Sequence, residues 1–228
     1  MVKAGRIAAA LAGAIALVLV LAQLFLPGIA ASRISSRVGK YGTVRSVSVS
    51  AWPAIELLWG HADSVTVKAG RLRLSPKQTA KLLWEARGAA ALRATAPVVQ
   101  EGRLRLSDVS LRKRGSLVTA EAEMTHADVR AALPPGLSVR LLASGGGNVK
   151  VRASGGLFGL GASVDAVAGP SEGKLIARPL GFLLGGVRLM LFADPHVQVE
   201  GVGANAVSAA AAAPATRRYR LTMTARLR

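Results

Sequence analysis

The sequence predicts an α+β fold: a large antiparallel sheet with two or three helices against it, preceded by one N-terminal transmembrane or signal helix. Three observations predict it. Residues Ile7–Leu26 form a 20-residue run without charge. Beyond Ser46, apolar residues recur mostly at period two, in short segments separated by glycine and proline turns. Helical spacing is confined to a few segments, without regular βαβ alternation.

The apolar run follows Lys3 and Arg6. Crossing a hydrocarbon core takes about 20 apolar residues, whereas a cleavable signal has an apolar region of only ~7–15. Length therefore favours an uncleaved anchor over residues 1–26, with an extracytoplasmic domain over 27–228. Gly28-Ile29-Ala30, followed by Ala31, offers a small-x-small peptidase site, so secretion after cleavage near Ala30 is the alternative. Lys3 and Arg6 favour a cytoplasmic N-terminus, although Arg33, Arg37 and Lys40 blunt the asymmetry.

Residues 27–43 read as a polar juncture with a short helix from Ala30 to Val38. Val47 and Val49 begin the period-two pattern, and Trp52-Pro53 breaks it. Ala54–Trp59 then reads as a short helix stopped by Gly60; Ile55, Leu58 and Trp59 share one face, with Trp52 one turn back. A strand follows over Asp63–Ala69, and Leu72 and Leu74 alternate with Arg71 and Arg73. Ser75-Pro76 starts a helix that runs to about Arg87. Its apolar face is Thr79, Leu82, Leu83 and Ala86, with Trp84 on the opposite side near Lys77 and Lys81.

Strands are expected at 104–111 and 118–124, then a helix at 126–133 capped by Thr125 and ended by Pro134. Further strands follow at 137–143, 148–154, 157–168, 173–178, 187–193, 196–202 and 218–227. The Ala-rich stretch 203–216 reads as a loose loop. In the last strand Tyr219, Leu221, Met223, Ala225 and Leu227 share one side, and Arg218, Arg220, Arg226 and Arg228 the other.

The chain carries 30 Lys and Arg against 12 Asp and Glu, a net +18. Lys3 and Arg6 lie in the N-terminal segment, which has no acid, so the rest carries 28 against 12, or +16. So basic a domain prefers polyanions. For an exported domain these are anionic headgroups of the membrane surface, and nucleic acid is not an expected partner.

Catalytic chemistry finds no support. Cysteine is absent, so there is neither disulfide nor thiolate. The three histidines, His61, His126 and His196, are too dispersed for a metal motif. Glu121 and Glu123 share a strand face and read as partners for the basic sheet. No G-x-S-x-G occurs. Gly201-x-Gly203-x-x-Ala206 imitates a dinucleotide fingerprint, but Pro214 interrupts the helix it would need, and no acidic residue follows Glu200. No catalytic residue, metal or cofactor is expected.

The stretch SVSVSAWPAIELLWGHADSVTVKAGRLRL (46–74) resembles the LmeA-like family of actinobacterial cell-envelope proteins. It has that family's strand, aromatic-Pro, short apolar helix, Gly and Asp-x-Val-x-Val strand. The run GLGASVDAVAGPSEGKLIARP (159–179) is similar to its strand-turn-strand section. Ala51 stands where family members commonly have glycine, and the Ala-rich stretch has no counterpart. The resemblance implies a long curved sheet wrapped against helices and binding of anionic phospholipid in the cell envelope. Trp52, Ile55, Leu58 and Trp59, with Leu82 and Leu83, would line or gate an apolar cavity. Trp84 would sit at headgroup level, and Arg71, Arg73, Arg103 and Arg105 are candidate phosphate contacts. The alternative is a non-catalytic scaffold that docks by its basic face on acidic wall polymer or on a protein partner of unknown identity. An enzyme acting on envelope glycolipid has no residue constellation behind it.

Overall fold

A computed structural model describes residues 2–133, 135–157, 160–181, 188–207 and 217–228, with the side chains of the first helix described from Leu19 onward. That helix, α1, runs unbroken over Val2–Gly39, through Pro27. The expected juncture at 27–43 is therefore largely helix, continuous with the apolar run. Residues 22, 23, 26, 27, 30, 31, 34, 35 and 38 are its half-buried positions, an i, i+4, i+8 stripe of the kind that packs on a neighbour. Within it Ala30, Ala31, Ile34 and Val38 pack on the core.

The chain then forms β1 (Gly42–Ser50), a 3-10 turn (Ala54–Trp59), β2 (Ala62–Arg73), α2 (Pro76–Glu85), β3 (Ala89–Glu101), β4 (Leu104–Arg114) and β5 (Leu117–Thr125). It continues with α3 (His126–Ala132), β6 (Leu137–Gly145), β7 (Asn148–Leu157), β8 (Leu160–Ser171), β9 (Lys174–Leu180), β10 (Leu189–Phe192), β11 (Val197–Ala206) and β12 (Arg218–Leu227). Both expected caps form. Ser75 and Gln78 close a reciprocal capping box on α2, and Thr125 and Asp128 one on α3.

The strands make two sheets, not one. A seven-stranded sheet has the order β1-β2-β3-β4-β5-β12-β11, and a five-stranded sheet the order β10-β9-β8-β7-β6. All pairings are antiparallel except β2–β3, which is parallel. Parallel neighbours need a crossover, and α2 supplies it. The chain therefore holds one βαβ unit that the sequence reading omitted, because β3 was not foreseen. The core lies between the seven-stranded sheet and the helices. Val65, Val67, Leu92, Val118, Val197 and Ala225 are buried there, with Ala80 and Leu83 of α2.

Lys113 stands beside Leu92 on the same inner face and is only 2% exposed. Its ammonium donates to the carbonyls of Arg87 and Ala89. This satisfies a buried cation with neutral acceptors, and desolvation holds its pKa below the ordinary lysine value.

The five-stranded sheet hangs from the free edge of β11. The β6–β7 and β8–β9 turns present Gly147 O to Val202 N (2.9 Å) and Gly173 O to Val199 N (2.8 Å). Ser144 Oγ accepts from Ala204 N at 2.9 Å. Donors that would leave an edge open for pairing are thus closed. Gly201 and Gly203 lie inside β11, paired with Thr224 and Thr222, so the glycine pattern there is strand and not a phosphate loop. Residues 208–216 of the expected loop lie outside the described residues, and Gly203–Ala206 belong to β11.

Candidate functional site

Two surfaces and α2 carry the candidate residues, and the fold forms a third surface. The first is the loop between β1 and β2. Its short helix is a 3-10 turn with three residues per turn, so Ala54 (1% exposed) and Leu57 point inward, and Leu57 packs on the core. The α-helical face expected from Ile55, Leu58 and Trp59 does not form. Ile55 is half-buried, while Trp52, Leu58 and Trp59 are 76%, 65% and 68% exposed. These residues form an outer apolar surface, not a cavity lining.

The loop is pinned to α1 by one side chain. Gln23 Nε2 donates to Ala51 O (3.0 Å), and Gln23 Oε1 accepts from Ala54 N (2.8 Å). Asp63 Oδ2 accepts from Trp52 N at 2.7 Å. Gly60 closes the turn with φ 78, and a Cβ at Gly88 would lie 2.2 Å from Gly60 O, so glycine at 88 permits the close approach.

The second surface is basic. Arg71, Arg73, Arg103 and Arg105 are exposed. Arg73 pairs in register with Gln100, which faces Arg105, so three of the four gather on one face near the β3–β4 turn. They lie on the side turned from Leu72 and Val99, which pack with Val38 of α1. The eight residue steps of β1 between its partners Leu72 and Ser64 amount to about 27 Å. The expected phosphate contacts and the Trp52 loop are therefore at opposite ends of β2, not one site. Nearer the loop, Arg93 and Arg112 stand directly opposite one another on the outer face, an arrangement of like charges that costs stability.

On α2 the expected residues separate. Leu83 is core, and Leu82 is half-buried. Trp84 stacks on His196 at 4.1 Å between ring centroids, with the Arg87 guanidinium 4.4 Å from its ring centroid. This cation–π sandwich places the ring beneath the β10–β11 turn, not at an open headgroup position.

The third surface was not singled out from sequence. One face of the five-stranded sheet is formed by Leu137, Val139 and Leu141 of β6, Val149, Val151 and Ala153 of β7, Val164, Ala166 and Ala168 of β8, Ala177 and Pro179 of β9, and Leu189 of β10. Leu137 and Leu189 are exposed and the other ten are half-buried, so none is fully buried. Among the described elements, those in substantial contact with this sheet are β11 and α3, and α3 meets only β6. The face spans about 20 Å along β7 and about 19 Å across the five strands, a footprint of some 400 Å². The opposite face is mixed: Val167, buried Ile176, Leu180 and Met190 lie on it, beside Arg152, which grips Asp165 at 2.6 Å, with Lys150 at 3.6 Å. The Arg152 hydrogen bond holds the Asp165 carboxyl below the usual carboxylate range. The sequence signal was the alternation over 148–154 and 157–168. What it lacked was any indication that these strands leave the main sheet.

Glu123 bridges Arg220 (2.8 Å) and Arg218 (3.7 Å), and Glu200 pairs with Arg226 (2.7 Å). The carboxylates thus serve as charge partners on the basic outer rows. Among the described residues no group of His, Asp and Glu is placed to hold a metal. Comparison with family models, curated proteins and solved structures returns no match for this chain.

Proposed function

We propose that the chain is a non-catalytic, membrane-tethered protein that binds or carries anionic phospholipid at the outer face of the cytoplasmic membrane, in support of envelope lipid or glycolipid assembly. The observation that carries this reading is the open apolar face of the five-stranded sheet. An alternation that buries Val65, Leu92 and Val118 in the first sheet leaves its counterpart in the second without a buried residue. Removing an acyl chain from water onto such a face yields about 0.8 kcal/mol per CH₂. The ~20 Å length accepts a chain of the ~15 Å that one leaflet spans. The +16 charge favours an anionic headgroup. The reading accords with what the LmeA-like resemblance implies.

The apolar helix supports the tether. Leu19–Gly39 is long and apolar enough to cross a membrane by length and composition. Arg33, Arg37 and the packing of Ala30, Ala31 and Ile34 on the domain assign its later turns to the aqueous side, so the span in this reading is Ile7–Leu26. Lys3 and Arg6 favour the orientation with the domain extracytoplasmic, against the opposing Arg33, Arg37 and Lys40.

The test is native mass spectrometry of the full chain extracted in mild detergent from its host membrane. Co-purified phospholipid is expected, and it should be lost from the variant Val151→Asp with Ala166→Asp. If no phospholipid accompanies the wild type, and added anionic phospholipid does not bind, the reading fails. The opposed Arg93 and Arg112 favour a second reading, docking on acidic polymer. That reading requires binding that salt abolishes and acyl-chain length leaves unchanged.

A further inference from the structure

The exposed loop and the exposed helix form one surface. Leu24 and Phe25 of α1 are 69% and 63% exposed, beside a loop that presents Trp52, Leu58 and Trp59. Gln23 fixes the relative height of the two, because its amide holds both Ala51 and Ala54. Gln23 lies three residues before Leu26, the end of the proposed span, or about 4.5 Å inside it at 1.5 Å per residue. If Ile7–Leu26 spans the hydrocarbon, the loop clamped to Gln23 cannot stand clear of the bilayer. Tryptophan is the residue favoured at that level, with its ring between chains and headgroups.

The same end of the seven-stranded sheet carries exposed cations. The loop meets Gly88 through Ala62 N and Gly88 O, and the β3 start meets the β4–β5 turn through Gly115 N and Ala90 O (2.8 Å). Arg87 and Arg114 flank these two junctions and are both exposed. A rim that is apolar at its tip and cationic behind it matches an anionic leaflet in profile.

We infer that Trp52, Leu58 and Trp59 form a wedge that inserts into the outer interfacial layer of the membrane α1 spans, so that the domain is docked on the leaflet at two points. The inference rests on the reading of Ile7–Leu26 as a span, and it is independent of whether the five-stranded sheet binds lipid. With α1 alone the domain would be free to tilt. The second contact sets which end of the sheet meets the bilayer, and it brings the Arg87–Arg114 rim to the phosphates.

Depth-dependent fluorescence quenching tests it. The three tryptophans are Trp52, Trp59 and Trp84. The full chain is reconstituted in vesicles of phosphatidylcholine and phosphatidylglycerol whose acyl chains carry bromine either near the headgroup or near the chain end. In Trp84→Phe the remaining emission comes from Trp52 and Trp59, and it should fall most with bromine near the headgroup. In Trp52→Gln with Trp59→Gln it comes from Trp84, stacked on His196 with Arg87 over its ring, and quenching by bromine at either depth should be weaker than in Trp84→Phe. Both substituted tryptophans are exposed, so flotation with the vesicles should persist. A Trp84→Phe protein that floats with the vesicles yet shows no quenching overturns the wedge alone. A chain that does not float overturns the wedge and the tether together. Loss of co-purified phospholipid from the Val151→Asp, Ala166→Asp variant with quenching intact supports the wedge as separate from the sheet.

Discussion

Gln23 is the polar residue on which the junction between helix and domain depends, and Gln23→Leu tests that junction. Leucine keeps the size and suits an apolar helix, but it supplies neither donor nor acceptor. The substitution strips Ala51 O and Ala54 N of their partner at residues that are 2% and 1% exposed. A buried backbone group left unpaired costs about 1–3 kcal/mol, so the two groups together cost ~2–6 kcal/mol. At the lower figure, a chain of this size loses roughly 4–8 °C in Tm, read by far-UV circular dichroism of the full chain in detergent. If the loop detaches while the sheet stays folded, the cost appears as opening of that segment instead. In that case ~2 kcal/mol raises protease cleavage near Gly60 by about 30-fold. A Gln23→Leu protein with unchanged Tm and unchanged cleavage would show that the loop is held by packing alone, and the height argument for Trp52 and Trp59 would lose its anchor.

Lys113→Met should lower stability by about 2 kcal/mol, since the carbonyls of Arg87 and Ala89 lose their donor while the stem is replaced. The pH dependence has a defined sign. With the folded pKa below the unfolded one, the unfolded chain binds more protons just below the ordinary lysine value. Wild-type stability should therefore rise with pH through that window, and the slope should vanish in Lys113→Met. Urea melts across the alkaline range read both effects, and an unchanged slope would refute the assignment. Gly88→Ala places a Cβ 2.2 Å from Gly60 O. It should cost about 1–3 kcal/mol through forced displacement of the loop, seen as a lower Tm together with faster cleavage at the 3-10 turn.

The sequence disclosed most strands and both helix caps because alternation and capping are local signals. Ser75-x-x-Gln78 and Thr125-x-x-Asp128 are complete within four residues. The strand β3 was hidden by its composition. AAALRATAPVVQE is rich in alanine, a weak strand former, and carries Pro97, which ordinarily demotes a central strand. Its place between β2 and β4 is made tolerable at Pro97 by an irregularity across the pair, where Asp108 takes φ 48 and the β4–β5 register shifts between Ser107 and Ser110. Pro27 misled in the same way, since proline in mid-helix usually marks a break. The short helix went wrong by period alone: 3.6 residues per turn groups Ile55 with Leu58 and Trp59, whereas three per turn groups Ala54 with Leu57.

The candidate site was less legible because it depends on what packs over what. Arg71 and Trp52 are close in sequence and far apart in space, since β2 carries one end of the sheet to the other. In the reverse sense, Trp84 and His196 are 112 positions apart and stacked. The open sheet face could not be read at all from alternation, which has the same form whether a face is covered or bare. Coverage follows from topology. The chain commits α1 and α2 to the seven-stranded sheet, and it spends the β6–β7 and β8–β9 turns on the edge of β11. A sheet held by its hairpin tips gains hydrogen bonds at its support but little burial on its faces. Its stability is then the part of the fold most responsive to a ligand, because a ligand that binds only the folded form adds RT ln(1 + [L]/Kd). On the proposed function, acyl chains complete the burial of half-buried Val151, Val164 and Ala166, which none of the described helices covers.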